Sequence, residues 1–594
     1  MQPRGPVGLS IPNQIYANGP SFFTQPKRID QWIGALPRAH VGETGRLVFN
    51  ALHELNQIIL APEQRFKVIE ALAEPTLYVV NALRRHILGQ AFPLSPKKLK
   101  VCNLIKEMIN EFATGYKVFL ETALAQPSAH IDVGQITTAL YRAIHAEHLL
   151  LLNVYQSYAP NPPGTWREIH ALYHYALAND IHRRHVSDTR MLLGSMSIDD
   201  VYKQALLMAL VNPYQLPQED IQRIFESLPS WAPQCVLAPM SSFSSPPGLF
   251  AVNPDSDDPP SYYAYCSQTQ DRCLMLDTRQ LAQQLRDILA AGSVAQLDSP
   301  EPVKRLSQET MKRMLLSWGL LSKRNFPRRG NSAQVHVTIG LSAVTKYLAN
   351  IAKAAKRKNL HGATLNQNNQ TASFSSQPLA GADGQGLYPE MWDLTDATKV
   401  ASVYDRQSTN APVTYHFNAE NVSDSPQVFN VTNESAGGYC LLWQQNSSGF
   451  LMVGDLILLH ELAARYQQFN ICVVRWLKNM DEKMIIGVEI LSPSAEPAIA
   501  RPIAQEAGPS ENIDSLLLPA VTTVRRPETL LTSSLYKTGD VLSLETASGV
   551  RVIQLVQLQQ ASRAFRQFQF QDVHHEPELE ADEEPGFDNI WSSL

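Results

Sequence analysis

Residues 323–329 read Lys-Arg-Asn-Phe-Pro-Arg-Arg and lead straight into an alternation of Val335, Val337 and Ile339. Residues 433–438 read Asn-Glu-Ser-Ala-Gly-Gly and lead into a second alternation, Tyr439, Leu441 and Trp443. Apolar residues at period two predict strands, each here preceded by a polar turn. Further short apolar runs follow at 451–453, 456–458, 471–473 and 485–488, separated by turn residues. Closely spaced short strands of this kind predict a small antiparallel barrel.

The two polar strings share a chemistry. Arg324 and Arg328 stand in an R-x-x-x-R spacing, with Arg329 beside them. A guanidinium fork matches the paired O6 and N7 acceptors of guanine, lies flat on a purine face, and carries fixed charge for phosphodiesters. Pro327 stiffens the backbone between the arginines, so less ordering entropy is lost on binding. Asn433 and Ser435 are short side chains able to reach a base edge or a phosphate. Gly437 and Gly438 admit close approach of a flat ligand, or a positive φ where the turn requires it. These residues suit a cyclic dinucleotide.

The spacing R-x-x-x-R followed by N-x-S-x-x-G resembles the ligand signature of PilZ domains, bacterial receptor modules for cyclic di-GMP. Later strings resemble the later strands of the same barrel: Val-Gly-Asp-Leu-Ile at 453–457, Val-Arg-Trp-Leu at 474–477 and Gly-Val-Glu-Ile-Leu-Ser-Pro at 487–493. The resemblance implies that Arg324 and Arg328, with Arg329, contact guanine and phosphate, while Asn433, Ser435 and Gly438 line the opposite wall. It covers about 324–493 and departs from the family pattern in one respect, an insertion at about 341–425 between the two strings. Within it, 341–360 predicts a basic amphipathic helix carrying Lys346, Lys353, Lys356, Arg357 and Lys358. Its lysines read as a solvated face, or as a cationic surface for an acidic partner. The following tract, rich in Asn, Gln, Ser and Gly, is too polar to build a core.

Composition bounds the remainder. A chain of 594 residues predicts several domains, and 44% hydrophobic content is that of a globular protein. A net charge of −6 argues against a general nucleic-acid binder. The six cysteines form no C-x-x-C pattern and read as reduced thiols. No run is apolar enough to span a bilayer, so the expectation is a soluble cytoplasmic protein, not an integral membrane protein, and the resemblance implies that its source is bacterial.

The expected fold class is multidomain α+β, with an N-terminal all-α interaction domain, a C-terminal antiparallel PilZ-like β-barrel and an additional β unit. The boundaries read as an extended segment 1–30, helical domain 31–228, mixed α/β connector 229–302, barrel 303–500, linker 501–520, β-rich unit 521–573 and acidic tail 574–594. In the helical part, Pro62, Pro75, Pro93 and Pro96 predict helix ends, and lengths near a dozen residues suggest a solenoid-like stack. A helix is expected at 303–320, and 495–513 reads as a Pro-, Ala- and Glu-rich linker. Thr-Gly-Asp-Val-Leu at 538–542 echoes Val-Gly-Asp-Leu-Ile at 453–457, suggesting a partial repeat of the barrel.

Three histidine pairs, His145/His148, His170/His174 and His182/His185, have the spacing of one helix face, but no metal-binding pattern accompanies them. They read as core or surface contacts, with a metal-dependent enzyme as a minor alternative. No catalytic constellation, P-loop or Rossmann fingerprint is present. The expectation is a non-enzymatic cyclic di-GMP effector without metal or other cofactor, meeting a protein partner through the helical domain or the acidic tail. The rival reading is a scaffold whose barrel no longer binds nucleotide.

Overall fold

The computed structural model describes residues 6–16, 26–125, 132–188, 194–240, 250–263, 272–291, 300–319, 327–360, 426–444, 450–461, 469–480, 483–503, 512–520 and 527–573. The N-terminal region is built from α1 (Pro26–Gly34), α2 (Val41–Gln57), α3 (Pro62–Arg84), α4 (Pro96–Leu124), α5 (Val133–Gln156), α6 (Thr165–Ala178), α7 (Ile198–Leu210) and α8 (Gln218–Trp231), with a hairpin of β1 (His185–Asp188) and β2 (Gly194–Ser197) before α7. Pro62 and Pro96 open α3 and α4, where a missing N–H costs nothing. Ser197 and Asp200 form a reciprocal capping box on α7. The helix α5 is buried on every side from Ile136 to Gln156, as the central helix of a bundle must be.

Three expectations change here. Pro75 lies inside α3, which continues past it to Arg84, and next to it the Thr76 hydroxyl donates to the Leu72 carbonyl at 2.7 Å. The helices reach 29 residues in α4, so the region is a bundle of long helices around α5. His182 and His185 lie beyond the end of α6, with His185 opening β1, so they share no helix face. His145 and His148 are buried in α5, and burial pushes the His145 imidazole down to about 3. Among the described residues, no cluster of three or more His, Cys, Asp or Glu is placed to hold a metal.

A four-stranded sheet follows, ordered β3 (Val236–Pro239), β6 (Leu274–Asp277), β4 (Phe250–Val252), β5 (Ser261–Tyr262), and then α9 (Arg279–Ala290). The helix expected at 303–320 is two, α10 (Glu301–Lys304) and α11 (Gln308–Gly319). Ser307 breaks them apart by accepting the Thr310 N–H at 3.0 Å, a side-chain cap that competes with helix continuation. At the end of α11 the buried Trp318 donates its indole N–H to the Leu207 carbonyl of α7 at 3.0 Å, and its own carbonyl accepts from Thr278. The segment just before the arginine string is thereby fixed to the helical region.

The first barrel comprises β8 (Gln334–Ile339), β9 (Gln427–Ser435), β10 (Gly438–Gln444), β11 (Leu456–Glu461), β12 (Phe469–Met480) and β13 (Lys483–Ser492), with a two-residue strand β7 (Arg329–Gly330) added beside β9. Its strands pair antiparallel in the ring β8–β9–β10–β13–β12–β11, which β11 closes onto β8. The helix α12 (Leu341–Leu360) leaves β8 through Gly340, whose φ of +95° only glycine adopts easily. Val335, Val337, Phe429, Val431, Leu441 and Trp443 fill the interior, and their apolar cluster is continuous with the helical core.

A second closed barrel follows: β14 (Glu496–Pro502), β15 (Ile513–Leu518), β16 (Thr529–Thr532), β17 (Val541–Thr546), β18 (Gly549–Ala561) and β19 (Arg566–Asp572). Numbered within each barrel, both rings run first, second, third, sixth, fifth, fourth. The echoed Gly-Asp turn is the same in both. Gly454 and Gly539 have φ of +93° and +96°. Asp455 accepts the Met452 N–H at 2.7 Å, and Asp540 accepts that of Lys537 at 2.9 Å. The turn glycine donates to the Val474 carbonyl in one barrel and to that of Leu555 in the other. The second barrel thus repeats the topology of the first.

The segment read as a linker, 495–513 and 501–520, instead supplies β14 and β15. Its inward positions are Ala498 and Ala500, too small to advertise a core strand, and Pro497 lies where β14 has β15 but no β17 partner. Val344 and Leu348 of α12 pack on Leu456, Leu458, Ile471 and Val473 of one barrel and on Leu516, Leu518, Leu531 and Phe565 of the other. The helix is the wedge between them.

Three units meet at the first Gly-Asp turn. Leu451, expected in a strand, makes an isolated bridge whose two hydrogen bonds, 2.8 and 3.0 Å, go to Phe92 of the helical region. The Asn479 N–H donates to the Tyr158 carbonyl at 2.7 Å, and Arg563 of the second barrel pairs with Glu219 of α8 at 3.8 Å. Burial in this junction pushes the Asp455 carboxyl from 3.8 to about 6, against the Met452 N–H and the Arg563 charge. A carboxyl raised in the folded state is favoured protonated, so its contribution is full below the unfolded value and is lost as pH rises toward 6. Denaturant titrations should show wild type losing about 1–3 kcal/mol between pH 4 and pH 6.5 relative to Asp455→Asn; parallel profiles would mean the carboxyl is not so placed.

Candidate functional site

The two polar strings meet through backbone pairing. Arg329 stands opposite Glu434 and Gly330 opposite Asn433, in the short ladder between β7 and β9. Asn331 secures this corner: its amide donates to the Glu434 carboxylate at 2.7 Å, and its Oδ1 accepts the Ala333 N–H at 2.9 Å. Continuing the register by one residue sets Arg328 beside Ser435, on the same face as Asn433. Arg328 is half-buried, whereas Arg329 is exposed and falls on the alternate face. Arg324 lies outside the described residues.

A bulge decides which way Asn433 points. Val431 pairs with Leu441 and both face the barrel interior, but Asn433 pairs with Cys440, leaving Thr432 as the extra residue. Simple alternation from Phe429 and Val431 would turn Asn433 inward. The bulge moves it to the outer face, where Ser435 opposite Gly438 also lies. The Thr432 hydroxyl donates to the Cys440 carbonyl at 3.0 Å and holds the bulge. Ser435 donates to the Gly438 carbonyl at 3.3 Å, while the Asn433 amide makes no hydrogen bond among the described residues.

Gly438 is needed for proximity. A Cβ there would lie 1.9 Å from the Val488 carbonyl oxygen of β13, and its φ is not left-handed. Gly487 is similarly required, because a Cβ would fall 1.5 Å from the Trp476 indole nitrogen. On the outer face, Gly438 therefore leaves bare backbone beside the short polar side chains of Asn433 and Ser435, with the buried Cys440 next along β10.

The next strands supply residues that the sequence strings did not reveal. Glu489 of β13 pairs directly with Gly438, and the Arg475 guanidinium of β12 donates to its carboxylate. Both partners are partly exposed, 30% and 27%, at the rim of the face. The signal was the Val-Arg-Trp run at 474–476, which reads only as strand until a register shift between Val474 and Trp476 is seen to set Arg475 apart. Inside the barrel, burial pushes the Cys472 thiol well up, with the Glu489 charge adding to it, so it stays protonated.

Comparison with known sequences agrees with this geometry along nearly the whole chain. Three family descriptions match in succession: "Cyclic-di-GMP receptor FimW, N-terminal domain" at 27–241, "Cyclic-di-GMP receptor FimW, middle PilZ domain" at 249–497 and "FimW C-terminal beta-barrel domain" at 498–573. The chain belongs to the PilZ-containing FimW family. A curated relative, the cyclic-di-GMP receptor FimW of Pseudomonas aeruginosa, is 27% identical over 620 aligned residues, spanning 99% of each chain. No solved structure matches the chain. Within the FimW family arrangement, the middle match takes in β4, β5 and β6 of the connector sheet as well as the first barrel, while β3 falls in the N-terminal match and the last match begins inside β14.

Gly438→Ala should lower unfolding stability by about 1–3 kcal/mol in denaturant titration, because the obstructing atom belongs to backbone. Gly330→Ala has open space around its Cβ and should stay within about 0.5 kcal/mol of wild type. Equal stability of the two variants would contradict the β10–β13 register.

Proposed function

We propose that the outer face of β9 and β10 binds cyclic di-GMP, with Arg324 and Arg328 gripping guanine and phosphate and with Asn433, Ser435 and Gly438 forming the opposing surface; Arg329, on the alternate face, contributes charge from the edge of the site. The observation that carries this reading is the pairing of Gly330 with Asn433, which unites the arginine string with N-x-S-x-x-G on one strand pair. Membership of the FimW family supports the same ligand. The protein is a receptor with no catalytic step to explain.

Its output follows from where the arginines are attached. The chain enters them from α11, which Trp318 fixes to α7, so a ligand that closes the two strings together bears on the helical region. The helical domain, 31–228, then alters its fit to a protein partner, with the acidic tail 574–594 as a second contact. Among the described residues no helix is long and apolar enough to cross a membrane. A cytoplasmic setting fits a second-messenger receptor, and surface attachment, pilus-based motility and exopolysaccharide control are the outputs this reading favours.

Calorimetric titration with cyclic di-GMP, with GTP and GMP as controls, tests the receptor. Wild type should bind at micromolar concentration or tighter. Arg328→Ala should lose about 2–5 kcal/mol of binding free energy and keep its thermal unfolding. Absence of binding by a folded wild type would leave the barrel as a scaffold.

A further inference from the structure

The face that carries Asn433, Ser435 and Gly438 does not end at the first barrel. Gly438 pairs with Glu489, Glu489 holds Arg475, and the Arg475 guanidinium also donates to Gln560 Oε1 of β18, in the second barrel, at 3.3 Å. Gly438 and Arg475 stand two strand spacings apart, about 10 Å. That is within reach of a ligand carrying two purines on opposite sides of one macrocycle.

Two irregularities converge at this rim. Arg475 falls at a register shift in β12, between Val474 and Trp476. Gln560 follows a register shift in β18, between Leu558 and Gln560. Bulges re-aim side chains, and here one on each barrel turns a polar group toward the other. The chemistry left over is specific. Glu489 alone would repel a phosphodiester, and Arg475 neutralises it. Gln560 Oε1 is taken by Arg475, while its Nε2 is buried and has no hydrogen-bond partner. A buried amide donor without an acceptor costs free energy until something supplies one.

From this we infer that the second barrel forms a wall of the dinucleotide site: Gln560 Nε2 donates to a guanine or phosphate acceptor beside Arg475, and β18 thereby senses occupancy. The inference rests on cyclic di-GMP binding as proposed above. It gives a function to a barrel that repeats the PilZ topology without either ligand string.

Hydrogen exchange by mass spectrometry on the full chain, with and without cyclic di-GMP, tests both together, alongside calorimetry of Gln560→Ala. Ligand should slow exchange in peptides covering 429–440 and also in those covering 556–563. In Gln560→Ala the first effect should persist and the second disappear, with affinity weakened about three- to ten-fold. Exchange of 556–563 without ligand should be the same in both proteins, which a purely structural amide would not give. Slowing confined to the first barrel, with unchanged affinity in Gln560→Ala, overturns the inference and leaves the receptor standing. No heat and no slowing anywhere in wild type removes both.

Discussion

The antiparallel ladder between β8 and β9 is the constraint on which the rest depends. It joins Gln334 to Asn430, side chains 96 positions apart that also share a hydrogen bond at 3.3 Å. This pairing closes the first ring, and its continuation past Ala333 sets Gly330 against Asn433. A one-residue slip would turn Val335 and Val337 out of the core and take Arg328 off the face that carries Asn433 and Ser435. The intervening segment weakens the closure little, because closure entropy grows only with the logarithm of length, about 0.6 kcal/mol per doubling. An insertion of this size is therefore compatible with an undistorted ligand face.

Around that ring the other units are fastened at few, well-defined points. The helical core runs without interruption into the barrel interior. Trp318 ties the approach to the arginines to α7, and Tyr158, held at φ of +51°, offers its carbonyl to Asn479 of β12. On the opposite flank α12 and the second barrel cover Leu456, Leu458, Ile471 and Val473. The outer surface left to β9 and β10 is bounded by protein on its β13–β12 side, which is why Arg475 reaches a residue of another barrel.

The α+β organisation and the strands of the first barrel were legible because alternation and turn residues are local signals, whereas the two strings were joined by resemblance and their backbone pairing appears only in the fold. Val335 and Val337, Tyr439 to Trp443, and the Gly-Asp turns all declare themselves within a few residues. What escaped was set by tertiary context. The strand β14 hides behind Ala498 and Ala500, whose burial against Leu517 and Leu544 leaves no hydrophobic signature. Leu451 has the residue type of a strand but spends its hydrogen bonds on Phe92. Pro75 is absorbed within a packed helix, and Ser307 divides another. The outward turn of Asn433 depends on a bulge, and the Arg475–Gln560 contact on two of them, and no spacing rule announces a bulge.

The matching ring order of the two barrels has a consequence for how the chain comes off the ribosome. In the second barrel the first two strands, joined at Glu496 and Leu517, are near neighbours in sequence. In the first, β8 emerges long before its partner β9, with one apolar side and both edges unsatisfied. Sequence-distant pairing is slow, and an unpaired strand is an invitation to aggregation while it waits. α12 touches β8 directly, but most of the surface it packs on belongs to β11, β14 and β15, which are made later still. Two barrels of one design therefore differ in how far apart in sequence their closing strands lie, and the one that carries the arginines has the longer separations.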